Sequence, residues 1–262
     1  MTDPAGLGRA LRPIIEKKLE DGTLKLPVLP AAATRVMELL RKEDLDTKAV
    51  VRALEKDPLL AAQVVKTANS VAFRGRMATT NLNAAVMRLG SRQLRSFLMT
   101  AVAFRMFVSK DPELDGALKT VRAHSVAVSM LARDLAQLTR CEQVEDSYLA
   151  GLLHDIGKVV VLVFVLEILR AQNPKRQQNV RIRTEDYIAA VHQLHRPIGA
   201  KIIQLWDMPS YLQEIVQGSS DYNLAQRVSP ANLVCFSNAV TKKLKISLGE
   251  ANPHEVSAAI MI

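Results

Sequence analysis

At 262 residues the chain is long enough for one large domain or two small ones with a full core, and 48% of it is apolar. Two cysteines, an N-terminus without an apolar leader and a longest apolar run of only VVVLVFVL (159–166) speak against a disulfide framework, a secretory signal and a membrane span. A reducing cytoplasm is the expected setting. The 35 Lys and Arg against 26 Asp and Glu leave a formal charge of +9, which admits nucleic acid, nucleotides, acidic proteins or anionic lipid without choosing among them.

Aromatics make up only 4% of the residues, so Leu, Val, Ala and Met must fill the interior, which favours helix packed on helix. Residues 7–22 have helical spacing and stop at Gly22. The prolines of L-P-V-L-P (26–30) impose an extended entry, and helical periodicity resumes over 32–42 with Val36, Leu39 and Leu40 on one face. Asp57 is a good N-cap and Pro58 suits the first turn, predicting a helix to Asn69-Ser70 with Leu59, Leu60, Val64, Val65 and Ala68 inward. Asn81 or Asn83 opens a helix that closes at Gly90, and another follows over 92–107. Met77, Met87, Met99 and Met106 read as core filling, although flexible thioethers also suit partner surfaces.

Polar residues 109–117, with Pro112 and Gly116, read as a junction between two helical sets. Helices are then expected over 120–138, 145–157 and 159–172, the last of them β-branched but too long for a strand. A basic loop at 173–183 precedes a helix starting at Thr184, and Pro197 and Pro209 each open a further helix. Residues 230–246 and a final segment capped at Asn252-Pro253 complete the pattern. The bare apolar end AAIMI suggests that more sequence follows or that this end docks on the body.

The chemistry-bearing segment is G-L-L-H-D-I-G-K (151–158). Adjacent helical residues diverge by about 100°, so His154 and Asp155 reach one point only near a helix end, which Gly157 would supply. His124, one helix upstream, could converge on them, but a hydrolytic metal centre needs a further anchor and an open position for water. The commoner role of such a pair is structural, with Asp155 accepting hydrogen bonds that lock the helix end. His192 and His195 fall at i and i+3, and a break at Pro197 would leave them in surface or capping roles. No phosphate-binding glycine loop and no Ser-His-Asp or Cys-His arrangement is present.

Taken together, L-P-V-L-P (26–30), Asp57-Pro58, Ala68-Asn69-Ser70, Leu89-Gly90, His124-Ser125, the 151–158 segment, and Trp206 with Pro209 resemble the HDOD family, the HD-related output domain of bacterial signalling proteins. The resemblance spans roughly residues 26 to 245. It implies an all-α fold in which an N-terminal helical subdomain packs against an HD-type helical core, and a regulatory setting. The expected divisions are an N-terminal helix or extension (1–25), an N-terminal helical subdomain (26–110) and a degenerate HD-like subdomain (111–262).

Enzymes of the wider HD superfamily hold metal with a His, a His-Asp pair and a distant Asp. Here the resemblance matches His124, His154 and Asp155 to the first three positions, while the last falls on Asn238, whose amide is a neutral and weaker ligand. His195 matches a position just before the Pro197 helix. These matches imply a degenerate pocket of His124, His154, Asp155 and Asn238, with Lys158 able to attract an anionic group. No catalytic residue, bound metal or cofactor is expected, His124, His154 and Asp155 being weak metal candidates only. The expected function is a non-enzymatic signalling scaffold that binds a partner protein or a small ligand such as a nucleotide messenger. A metal-dependent nucleotide phosphohydrolase is the alternative. A nucleic-acid-binding regulator ranks below both, because aromatic stacking platforms are lacking.

Overall fold

The computed structural model describes residues 4–42, 44–171, 184–218 and 222–249, and among them all regular structure is helical, with no strand. The expected basic loop at 173–183 and the helix after Asn252-Pro253 lie outside the described residues. The chain divides into two compact units, one from Val28 to Arg105 and the other from Met1–Pro27 together with Met106–Ile262.

The unit from Val28 to Arg105 is built of short helices whose ends are written in the sequence. Helix α2 (Ala31–Leu39) starts immediately after Pro30 and buries Val36 and Leu39, with Leu40 buried at its C-cap. Helix α3 (Thr47–Leu54), absent from the sequence reading, is capped by the Asp46 carboxylate accepting from the Ala49 amide. Helix α4 (Pro58–Ala68) has the expected Asp57 cap, which accepts from Leu60 N–H at 3.0 Å and also pairs with Arg105. Leu59 is exposed rather than inward, because it sits in the first turn on the face opposite Leu60 and Val64. Helix α5 (Leu82–Met106) is two helices joined at Gly90, whose φ of +70° breaks the path where a stop was expected. Of the four methionines, Met99 fills the core while Met77 and Met87 are exposed.

The other unit joins the N-terminal α1 (Pro4–Glu20) to α6 (Pro112–Leu138), α7 (Val144–Leu153), α8 (Ile156–Ala171), α9 (Thr184–Leu205), α10 (Ser210–Gln217) and α11 (Pro230–Lys243). Helix α9 is its hub, packing against α8, α1 and α10, while α6 packs on α7 and α11. Helices α7 and α8 form an apolar stretch, Val144–Ile168, long enough to cross a membrane, but 89% of its 18-residue apolar window is buried inside the protein, where it serves as the central core. Trp206, the only tryptophan, donates its indole N–H to the Pro27 carbonyl at 2.8 Å within this unit.

Three boundaries differ from expectation. The junction at 109–117 shrinks because Asp111 and Pro112 repeat the Asp57-Pro58 device: the Asp111 carboxylate accepts from Leu114 N–H and α6 begins at Pro112, with Gly116 inside it. Helix α9 runs through Pro197, whose missing hydrogen bond is tolerated because its neighbours Leu194, Ile198 and Ile202 are buried. The third difference is at the His-Asp pair, where α7 ends at Leu153 and α8 starts at Ile156, so Gly157 lies inside the first turn of α8 instead of ending a helix.

Gly157 has a packing role. A Cβ there would fall 1.8 Å from the His195 carbonyl oxygen and 2.6 Å from the Gly199 nitrogen, so only glycine lets α8 approach α9 this closely. Gly151 does the same between α7 and α6, where a Cβ would meet the Ser129 backbone at 2.7 Å. These two contacts draw four helices, α6 to α9, around one point. Gly157→Ala should therefore cost about 3 kcal/mol or more in urea unfolding, since backbone has to move. Gly116→Ala, on an exposed helical site with nothing within 4 Å, should gain about 0.5–1 kcal/mol in the same assay.

Candidate functional site: a buried histidine and aspartate pocket

Six side chains from α6, the α7–α8 break, α9 and α11 converge inside one unit: His124, His154, Asp155, Lys158, His195 and Asn238, all buried. The break between α7 and α8 releases His154 and Asp155 from helical divergence. It also stands Asp155 at the N-terminal end of α8, where the helix dipole favours an anion.

Asp155 is the centre. Its Oδ2 accepts from Lys158 Nζ at 2.6 Å and lies 3.4 Å from both His124 Nε2 and His154 Nε2, while its Oδ1 lies 3.4 Å from His195 Nε2. The outer nitrogens of the three rings all face backbone carbonyls: His154 Nδ1 meets Gly151 at 2.8 Å, His195 Nδ1 meets Val191 and His192 at 2.9 Å, and His124 Nδ1 meets Ile246 at 2.6 Å. A carbonyl can only accept, so each neutral ring carries its proton on Nδ1 and aims the Nε2 lone pair inward. This is how proteins orient metal-binding imidazoles. His154 Nε2 has no hydrogen-bond partner.

His124 Nε2 also lies 3.1 Å from Asn238 Oδ1. With its proton directed at Ile246, the neutral ring can only accept there, and a half-turn of the amide, which puts the NH2 in that place, satisfies both groups. Asn238 then covers a lone pair that a metal would need.

The electrostatics follow from burial. Desolvation pushes His124 down to about 3 and His195 likewise to about 3, against an ordinary value of 6.5, the attraction of Asp155 being outweighed. For Asp155, burial works to raise the pKa, but His154 and Lys158 more than offset it and hold the carboxyl well below its usual range. Asp155 therefore stays ionised at neutral pH, with the Lys158 Nζ against it at 2.6 Å.

His124, His154 and Asp155 offer ligand atoms within 4.8 Å of one another, and the unpartnered His154 Nε2 is aimed among them. That donor set fits a single ion in position. It does not fit a pair of ions with a water between them, because no second carboxylate joins the cluster among the described residues. A divalent ion would also bring two further positive charges beside an anion that Lys158 already neutralises.

The structure brings together all of the residues that the sequence resemblance singled out. Lys158 points its charge at Asp155 rather than outward to an anionic group. The residue undervalued from sequence is His195. It is buried beside Asp155 because α9 does not break at Pro197, whereas His192 on the same helix is exposed and approaches the Leu248 carbonyl at 3.3 Å. The available signal was the glycine pair Gly157 and Gly199, which marks a close approach of α8 and α9 at that level.

Residues 26–222 match the HDOD domain family model. The chain belongs to the HDOD family. This HDOD chain is 27% identical over 186 residues to an uncharacterised protein of Treponema pallidum (strain Nichols), covering 70% of its own length and 35% of that relative. It thus spans about a third of the curated relative it matches. Among solved structures, a Shewanella amazonensis protein provisionally named a metal-dependent phosphohydrolase aligns with TM-score 0.74 at 24% identity, covering 97% of this chain and 88% of that one. An HDOD domain protein of unknown function from Geobacter sulfurreducens aligns with TM-score 0.66 at 21% identity, covering 98% and 87%. At these identities the likeness concerns the fold.

The depressed histidines set a pH dependence. In the unfolded chain His124 and His195 take up protons near 6.5, but in the folded HDOD core they stay neutral to about 3, so acid favours the unfolded state across that window. Asp155 adds to the loss below its unfolded value of 3.8, where the unfolded carboxyl takes up a proton and the folded one stays ionised. Stability in urea should fall as pH drops from about 6.5 towards 4, with a limiting slope of about 1.4 kcal/mol per pH unit for each ring. His195→Gln should remove one ring's share of that slope.

Proposed function

We propose that this HDOD protein is a non-enzymatic signalling module whose former metal pocket serves as a closed polar plug, and which acts by binding a partner protein. The observation that carries this reading is the buried contact of 2.6 Å between Lys158 Nζ and Asp155 Oδ2. Asp155 is the one anionic ligand of the set, and its charge is taken up by the protein's own ammonium. The amide at Asn238 compounds the effect, since it adds no negative charge to hold an ion. Three imidazoles and one neutralised carboxylate provide neither a strongly bound ion nor a base free to activate water. In this role Lys158 is the resident cation held against the Asp155 carboxylate, around which the three Nε2 atoms gather at 3.4 Å, and the helices that carry them are locked at one point.

A regulatory role is in keeping with the family, one of whose fold relatives, from Marinobacter aquaeolei, is provisionally named a signal transduction protein. A small ligand is a secondary reading. A cavity of about 420 Å³ runs beside α8, walled by Leu24, Pro27, Met106, Val160 and Phe164 with Lys18 among its polar residues. Its largely apolar walls suit a small amphipathic molecule better than a nucleotide. The hydrolase reading would be restored if purified protein with added manganese cleaved a cyclic dinucleotide or a phosphomonoester and His154→Ala abolished that cleavage. The expected result is no turnover above the His154→Ala background.

A second measurement addresses the cation directly. Lys158→Met leaves Asp155 as an unpaired buried carboxylate and should cost about 3–5 kcal/mol in urea unfolding. Added zinc or manganese should then raise the melting temperature of Lys158→Met by several degrees while leaving the parent protein within about one degree. Equal metal stabilisation of both proteins would count against a resident lysine.

A further inference from the structure

Across the unit from Val28 to Arg105 the charges are distributed unevenly. No Asp or Glu occurs from residue 58 to residue 110, while eight Lys and Arg do, against a net charge of +9 for the entire chain. Some of these cations are used internally. Arg105 pairs with Asp57, and Arg95 donates to the Leu40 carbonyl. Arg88 donates to the Ala68 carbonyl, the Asn69 amide oxygen and the Met77 carbonyl. Lys66, Arg74, Arg76 and Arg92 are exposed and make no ion pair with any described residue.

The loop between α4 and α5 has an unusual surface. Residues 71–78, V-A-F-R-G-R-M-A, are all exposed, including Val71 at 83% and Met77 at 78% of their full area. Met87, on the following helix next to Arg88, is 67% exposed. Nothing about the base of the loop is loose. The Asn69 side chain clasps residue 79 in both directions, accepting from Thr79 N–H at 2.8 Å and donating to its carbonyl at 2.7 Å, and Arg88 holds the Met77 carbonyl at 2.8 Å. Gly75 lies over the Arg88 guanidinium, where a Cβ would stand at 3.5 Å. A loop braced by a bonded asparagine and arginine, yet showing apolar side chains to water, is built to present them.

We infer that the 71–78 loop and the adjoining Met87 face of α5 form a docking surface for an acidic, amphipathic segment of a partner protein. This rests on the reading of the chain as a binding module, and it adds where the partner binds and what chemistry it has. Charge complementarity selects the sign: a surface with free cations and no acid across that span of chain attracts carboxylates and repels other basic proteins. The apolar side chains select a protein over the other anions. Val71, Met77 and Met87 would be wasted against phosphates, and Phe73 is the one exposed aromatic near the loop, too little for stacking on bases. No Trp or Tyr lies between residues 58 and 110 to anchor the surface at a lipid headgroup layer. Methionine side chains adapt to the apolar face of a helix, and the flanking arginines meet the acidic residues at its edges.

The test uses the full chain, immobilised, with a cytoplasmic extract of its own organism, and photo-crosslinking from position 77 to locate the segment touched. Three proteins are compared: the parent, Arg74→Glu/Arg76→Glu, and Val71→Ser/Met77→Ser, all checked for unchanged melting temperature. The same proteins are titrated with 20-base-pair DNA and with vesicles of phosphatidylserine and phosphatidylcholine. The expected result is a captured protein crosslinked through an acidic stretch with helical apolar spacing, its affinity lowered at least tenfold by each double substitution. Capture that both variants retain undiminished would overturn the docking surface while leaving the binding-module reading intact. Capture of no protein by the parent would overturn both. Retention of DNA or of anionic vesicles by the parent, lost in the variants and without a protein crosslink, would transfer the surface to that partner and overturn the inference.

Discussion

A buried carboxylate needs a counter-charge, and in this protein the counter-charge is covalently part of the chain. Asp155 is buried among the helices of its unit, and leaving it uncompensated there would cost about 3–5 kcal/mol. Lys158, one turn along α8, meets it at 2.6 Å. The rest of the pocket follows from this pair. Burial keeps His124 and His195 neutral, and the Nδ1 protons of the three imidazoles are directed outward to carbonyls of the helices and turns that hold them. Asn238 can be an amide because no further anion is wanted.

The ion pair depends in turn on close backbone approach. Gly157 and Gly151 allow α8 to reach α9 and α7 to reach α6, and these approaches bring His195 and His124 within 3.4 Å of the same carboxylate. The apolar α7–α8 core supplies the driving force, since most of it is removed from water. The outer nitrogens of all three rings find backbone carbonyls in this placement of the helices, which ties the pocket to one arrangement. This HDOD core keeps its histidines and turns its acid towards a lysine, the arrangement on which the non-enzymatic proposal rests.

On the binding-module proposal the working parts are surfaces, and the charge distribution singles one out. The segment after Asp57 runs to Lys110 without a carboxylate, so the positive field of the chain is concentrated there rather than spread evenly. The braced loop with Val71 and Met77 at its surface lies within that field. Polar plug and apolar-basic loop belong to separate units, and each is complete in its own local structure.

Much of this was legible in residue order. The Asp57-Pro58 and Gly90 boundaries, the helical class and the His124, His154, Asp155 and Asn238 set are local or motif-borne features, because caps, proline and left-handed glycine act within a few residues. Three things were decided only by tertiary structure. Helix α9 continues through Pro197, since burial of its flanking residues outweighs one lost hydrogen bond. His195 therefore joins the pocket, and Lys158 turns inward to Asp155, where sequence alone suggested a group open to ligands. The physical reason is common to all three: backbone punctuation is a short-range effect, whereas the direction of a buried charge is set by whatever distant helix removes its water.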